Sequence, residues 1–125
     1  MGSVSAASVA ARLTDGGPDG VVLTSSVMGR NKEMGESLQD VALDRICVPV
    51  LLVHHRDDGC PSSRYADTSW AMRRLSATAK KELLTFSGGD APQSPPCEPL
   101  APHGYFGIEE RVVEAITAWI IGAKP

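Results

Sequence analysis

The sequence predicts an α/β fold in which a parallel sheet of about three strands is covered by helices on both faces. Two observations predict it. Short apolar runs with the composition of buried strands alternate along the chain with segments of helical periodicity, and such alternation is typical of parallel sheets. The chain has 125 residues, which is enough for one hydrophobic core and therefore for one domain.

The first half of the chain predicts one helix and two strands. Residues 3–13 are rich in alanine, with small apolar side chains at helical spacing, and predict a closely packed helix. Residues 21–26 predict a strand. Residues 28–35 predict a loop, and 38–46 predict a short amphipathic connector rather than a long helix. Residues 48–54, an apolar and β-branched run after a cysteine, predict a second strand that is buried.

The second half predicts two helices around a third strand. Residues 62–79 have helical periodicity, and residues 81–86 predict a strand. Five prolines fall within residues 90–102 and exclude regular structure there. Residues 108–121 form the clearest helix, because their apolar side chains share one face and two glutamates occupy the first turn.

Composition excludes several classes of function. The net charge is −3 with no basic stripe, so nucleic acid is not predicted as a partner. No apolar run approaches the roughly 20 residues that a membrane-spanning helix needs. The first residues lack the charged and apolar regions of a secretory signal. No cofactor is predicted.

Polar residues that carry chemistry follow the second and third predicted strands. Asp57 and Asp58 come after the second strand, and His103 follows the third. Parallel strands bring these loops to one edge of the sheet. A carboxylate that orients an imidazole is the acid–base part of a nucleophilic triad. The competing interpretation is that Asp57 or Asp58 caps the following helix.

Two of the three cysteines lie in the same loops. Cys60 follows Asp58 by two residues, and Cys97 precedes His103 by six. A disulfide between them would connect the loop of Asp58, the acid loop, to the loop of His103, the histidine loop. It would also indicate an oxidising compartment, whereas the alternative is two reduced thiols. Cys47, at the entrance to the second strand, is predicted to be a buried thiol.

A metal site is a further hypothesis, since residues 54–60 and His103 include histidine, aspartate and cysteine side chains. Adjacent histidines on a strand point to opposite faces, so His54 and His55 cannot easily share one metal. The spacing typical of zinc sites is absent too. The sequence therefore predicts no metal.

These residues together resemble the C-terminal half of an α/β-hydrolase. The resemblance rests on residues 48–60, which end in His-His-Arg-Asp-Asp-Gly-Cys, on 87–89, on Cys97, on 103–109 and on a last helix that ends in Trp-Ile. It is similar to bacterial esterase-like members with a His-His-x-x-Asp-x-Cys loop. The resemblance implies the sixth to eighth strands of that fold. It also implies Asp58 as triad acid, with Asp57 as the fallback, His103 as triad base, and a small ester-like substrate for the complete fold.

The chain departs from this family in lacking its nucleophile motif. No Gly-x-Ser-x-Gly occurs in the 125 residues. A Met-Gly pair followed by a small-residue helix is what the family has just after the serine. We therefore expect residues 1–125 to run from the elbow helix to the C-terminal helix, without the nucleophile strand. Ser3 and Ser5 are alternative nucleophiles, although both are expected to be ordinary serines at a helix start.

Two hypotheses of function follow from these residues. In the first, the chain is part of a serine hydrolase and is inactive by itself. In the second, it is a non-catalytic interaction or assembly module built on the half fold. Because no strand of the chain is predicted to pair with the outer edge of residues 21–26, an open sheet edge is expected, and with it a homo-oligomer.

Overall fold

A computed structural model describes residues 2–13, 15–29 and 35–123 of the chain. Within them, three parallel strands form one sheet in the order β1-β2-β3. Helices cover both faces of this sheet. The predicted α/β class, with its three-stranded parallel sheet, is therefore confirmed.

The strands are β1 (Val21–Thr24), β2 (Val50–His55) and β3 (Lys81–Phe86). Val50, the first residue of β2, lies opposite Val21 on one side and Lys81 on the other. Every residue of β2 is buried, as expected for a central strand with helices on both faces. The carboxyl ends of all three strands consequently meet at one edge of the sheet.

Three helices provide the two covering layers. Helices α1 (Gly2–Arg12) and α2 (Thr68–Arg74) pack on the face that Val50 and Leu52 of β2 present. Helix α3 (Glu109–Ala123) packs on the opposite face, that of Leu51 and Val53. Successive strand residues alternate between faces, so a single apolar strand supplies both cores.

Small side chains let α1 approach the sheet closely. Ala7, Ala10 and Ala11 are buried against it. At the start of this helix, the Ser3 hydroxyl donates to the carbonyl oxygen of Thr24 at 2.8 Å and accepts from the Thr24 N–H at 3.1 Å. One side chain thus satisfies both main-chain groups that Thr24 directs away from β2.

The helix predicted over residues 62–79 is longer than the helix in the structure, α2, which covers Thr68–Arg74. The structure has a short 3-10 turn at Tyr65–Asp67, and α2 begins only at Thr68. The reason is tertiary hydrogen bonding. The Ser62 carbonyl accepts the N–H groups of Met28 and Gly29 at 2.8 and 3.0 Å. A carbonyl used in this way is not available to the fourth residue ahead, so the helix starts later.

The remaining expectations differ from the structure mainly at element ends. The connector at 38–46 consists of two 3-10 turns, Leu38–Asp40 and Leu43–Arg45. Of the range 90–102 from which prolines were expected to exclude regular structure, residues 90–101 contain neither helix nor strand, and Pro102 begins the 3-10 turn Pro102–Gly104. Of the loop expected over 28–35, positions 30–34 lie outside the described residues.

Candidate functional site

The structure brings Asp58 and His103 together at the carboxyl edge of the sheet. Asp58 lies three residues beyond the end of β2, and His103 lies in a 3-10 turn, Pro102–Gly104, in the loop after β3. The His103 Nδ1 and the Asp58 Oδ2 are 2.8 Å apart. Because a carboxylate accepts hydrogen bonds, Nδ1 carries the proton, and Nε2 holds the lone pair of the neutral ring. Their catalytic role stays a prediction.

The Asp58 carboxylate is buried and surrounded by hydrogen-bond donors. Its side chain has no exposed area, whereas that of His103 is 17% exposed. Oδ1 accepts the Cys60 N–H at 2.9 Å, and Oδ2 also lies 3.3 Å from the His54 Nε2. Burial raises the pKa of the Asp58 carboxyl, but hydrogen bonds from His103, His54 and the Cys60 N–H outweigh it and hold that pKa below its usual range. Asp58 is therefore a carboxylate at neutral pH.

His54 and His55 point to different partners, as expected for neighbours on a strand. The His54 Nε2 lies 2.6 Å from the Ser63 carbonyl oxygen, and the His55 Nε2 lies 2.8 Å from that of Gly88. Carbonyl oxygens only accept, so both rings carry their proton on Nε2. The His55 Nδ1 in turn accepts the Asp57 N–H. Both rings are buried, and each donates to a main-chain carbonyl of a loop.

Asp57 does not lie in the site. It is exposed, and its contact with the histidines is made by its backbone N–H. The interpretation of either aspartate as a helix cap is wrong: the Asp58 side chain accepts the N–H two residues ahead, which is an Asx turn within the loop. Neither aspartate caps α2, which follows Asp67. The Asp58 carboxylate therefore both stabilises the turn of its own loop and accepts a hydrogen bond from His103.

The disulfide between Cys60 and Cys97 is present, which confirms the predicted pairing. It joins the loop of Asp58 to the proline-rich loop that leads to His103. Cys47 is exposed rather than buried, contrary to expectation. It precedes the first residue of β2 by three positions and contacts the Arg45 carbonyl at the surface.

Other sequence-based alternatives receive less support from the geometry. The Ser3 hydroxyl is engaged with the main chain of Thr24, as expected of a serine at a helix start. Cys60 is in a disulfide, and no group of three or more potential ligands among the described residues is arranged to hold a metal ion.

Tyr105 and Ser25 also support the site, and no pattern in the sequence predicted this role for either residue. The Tyr105 hydroxyl donates to the Val53 carbonyl at 2.9 Å and anchors the histidine loop to β2. Burial, with a smaller contribution from the Asp58 charge, raises the pKa of Tyr105 to about 12, although hydrogen bonding to Ser25 opposes the change. Ser25, directly after β1, donates its hydroxyl proton to the His103 carbonyl at 2.6 Å.

Comparison with protein-family models, with curated proteins and with solved structures gave no match to this chain. The resemblance to α/β-hydrolases accordingly stays a prediction from the sequence. Within the part of the chain that the structure describes, no helix has the length and apolar character needed to cross a membrane.

Proposed function

We propose that Asp58 and His103 are the acid and base of a serine-hydrolase-type triad that cleaves carboxylic esters or related acyl compounds. One observation carries the proposal: a buried carboxylate 2.8 Å from the Nδ1 of a partly exposed imidazole. Both residues lie beyond the carboxyl ends of parallel strands, where open α/β sheets bind their ligands. The resemblance to α/β-hydrolases points to the same pair.

The pair would act through the Nε2 of His103. This nitrogen takes the proton of an attacking serine hydroxyl as the serine oxygen bonds to the acyl carbon. It then gives the proton to the departing alkoxide, and a water molecule repeats the sequence to release the acid. The Asp58 carboxylate accepts the hydrogen bond of the Nδ1–H throughout and stabilises the imidazolium that forms between these transfers.

The proposed activity needs a nucleophile that these 125 residues do not provide in the usual motif, because they contain no Gly-x-Ser-x-Gly. Without the serine of that motif, the His103 base has no positioned hydroxyl to activate and should add nothing to the reactivity of a free imidazole. We therefore expect p-nitrophenyl acetate to be hydrolysed by the 125-residue chain no faster than in buffer with an equal concentration of imidazole. Saturable turnover by the chain alone would contradict this part of the proposal.

The decisive experiment uses the complete product of the gene that encodes these residues. His103→Ala and Asp58→Asn are each expected to lower kcat for p-nitrophenyl butyrate, by roughly 10³- to 10⁴-fold. Asp57→Asn is the matched control, since it makes the same change one residue earlier on an exposed side chain, and it should leave kcat within about twofold. A complete product with neither turnover nor labelling by a fluorophosphonate probe would overturn the proposal.

An assembly role is the second candidate, favoured by exposed apolar side chains. On α3, Val113 is 61% exposed and Ile121 is 64% exposed, and the outer edge of β1 pairs with no other strand of the described sheet. Such surfaces favour contacts between chains. In this case the complete product would associate with itself and lack turnover, and Asp58→Asn would change neither property.

A further inference from the structure

Ser25 has an unusual backbone conformation at the edge of the candidate site. It directly follows β1, and its φ is +45°. A side chain disfavours this region because its Cβ crowds the main chain. Such conformations persist where the surroundings over-determine them, and they cluster at functional sites.

The polar groups of Ser25 reach three separate segments. Its N–H donates to the Val53 carbonyl of β2 at 3.0 Å. Its carbonyl accepts the Ser63 hydroxyl of the acid loop at 3.4 Å. Its hydroxyl donates to the carbonyl of His103 at 2.6 Å. This last hydrogen bond is the shortest of the three and reaches the histidine itself.

We propose that Ser25 is the positioning residue for His103, fixing its main chain so that Nδ1 meets the Asp58 carboxylate. The proposal rests on the function proposed above for that pair. Other restraints on the histidine loop act at a distance along the chain: the disulfide is six residues earlier, at Cys97, and the Tyr105 hydroxyl two residues later. The Ser25 hydroxyl holds the residue that carries the imidazole.

The direction of this hydrogen bond distinguishes positioning from catalysis. The Ser25 hydroxyl donates its hydrogen bond to a main-chain carbonyl oxygen, which is not a base that could activate a serine. A nucleophile would instead present its proton to the Nε2 of His103. Ser25 is consequently assigned no chemical step.

Two substitutions separate the hydroxyl from the backbone conformation. Ser25→Ala and Ser25→Gly both remove the hydrogen bond to His103, together with the side-chain interaction with Tyr105. Glycine adopts a positive φ without steric cost, whereas alanine keeps the crowded Cβ, so the alanine variant should have the lower Tm. Ser26→Ala is the matched control, because the neighbouring Ser26 hydroxyl is buried without a hydrogen-bond partner among the described residues.

The measurement is the proton resonance of the His103 Nδ1–H in the 125-residue chain, which a hydrogen bond to a carboxylate shifts downfield of the amides. We expect both Ser25 variants to lose or broaden this resonance to the same extent despite their different Tm, and Ser26→Ala to retain it. In the complete gene product, both should lower kcat, by up to about 10²-fold, with KM changed less than kcat.

Three results would overturn the proposal. A resonance retained in both variants would show that the hydroxyl does not position the ring. A resonance retained with glycine and lost with alanine would assign Ser25 a backbone role alone. Covalent labelling of Ser25 by a fluorophosphonate probe would make it a nucleophile. A resonance that responds as expected, in a complete product without turnover, would support the positioning of His103 while refuting the proposed hydrolase function.

Discussion

At the scale of single residues, the account depends on one carboxylate and its donors. Asp58 accepts hydrogen bonds from the Nδ1 of His103 and the N–H of Cys60, and it lies within reach of the His54 Nε2. Hydrogen bonds to a charged acceptor are worth roughly 1.5–3 kcal/mol each, more than those between neutral groups. A side chain in this position should contribute to stability as well as to the site.

The lowered pKa of Asp58 makes this contribution depend on pH. A carboxyl whose pKa is lower in the folded than in the unfolded protein stabilises the fold above its unfolded value, near 3.8, and loses that contribution as pH falls through the folded pKa. Asp58→Asn should lower the free energy of unfolding at pH 7 by about 2 kcal/mol. The difference from the wild type, measured by urea denaturation, should shrink as pH falls below 3.8, because the unfolded wild type takes up a proton there and the folded carboxyl does so only at a lower pH.

Asp57→Asn provides the control for this titration, because its side chain is exposed. It should shift the urea midpoint little at either pH. If the difference between wild type and Asp58→Asn were the same at pH 7 and at pH 3, the carboxylate would not be stabilised by its neighbours in the folded state.

Tyr105 gives a second test at this scale, at alkaline pH. Burial, with the Asp58 charge, raises the pKa of its phenol to about 12 from an ordinary 10.0. The folded protein therefore favours the protonated phenol, and the resulting stability is complete below pH 10 and lost as pH rises toward 12. In a Tyr65→Phe variant, where Tyr105 is the one remaining tyrosine, phenolate absorbance should be half-developed near pH 12. The same variant in urea should titrate near 10, and a folded protein that also titrated near 10 would contradict the buried placement.

At the scale of elements, the site lies where two loops contact each other, and the sheet alone does not fix their positions. The acid loop follows β2 directly, but the histidine loop includes the proline-rich residues 90–101, which have no regular structure, before His103. The disulfide from Cys60 to Cys97 connects them at a separation of 37 residues. The Tyr105 hydroxyl anchors the far side of the loop on β2. Elements without regular hydrogen bonding thus depend on cross-links.

The disulfide should therefore matter for stability. Closing a loop of 37 residues stabilises the fold by about 4 kcal/mol in the chain-entropy description. Replacing Cys60 and Cys97 with serine should lower the free energy of unfolding by an amount of this order, whereas Cys47→Ser should not. In the oxidised native protein, alkylation followed by mass mapping should label Cys47 alone, because that thiol is exposed. Labelling of Cys60 or Cys97 without reductant would contradict the bridge.

At the scale of the whole molecule, the open edge of β1 and the exposed apolar residues of α3 favour self-association. The hydrogen bonds of Ser3 satisfy the outward main-chain groups of Thr24, so the edge is partly protected. The apolar side chains of Val113 and Ile121 remain exposed. We predict a dimer or larger assembly at micromolar concentration in sedimentation experiments, weakened by the double substitution Val113→Glu and Ile121→Glu. Glu110→Gln on the same helix is the control, and a compact wild-type monomer would contradict the prediction.

The fold was predictable because composition and alternation reflect burial in a parallel sheet. β3 has the predicted bounds, and β2 is shifted by one or two residues at its ends. The pairing of loops at one edge followed from the parallel topology alone. What the sequence could not show depends on distant main-chain groups: the late start of α2, set by the Ser62 carbonyl, and the positive φ of Ser25. Hydrogen bonds between remote segments leave no local pattern in a sequence.

The central claim is that Asp58 orients the imidazole of His103, and the protonation of the three histidine rings tests it most directly. Long-range proton–nitrogen NMR correlations on the chain at a pH where the rings are neutral identify which nitrogen carries the proton. The structure predicts Nδ1–H for His103 and Nε2–H for His54 and His55. Asp58→Asn should abolish the preference of His103, and Asp57→Asn should leave it unchanged. A wild-type His103 with its proton on Nε2 would contradict the account.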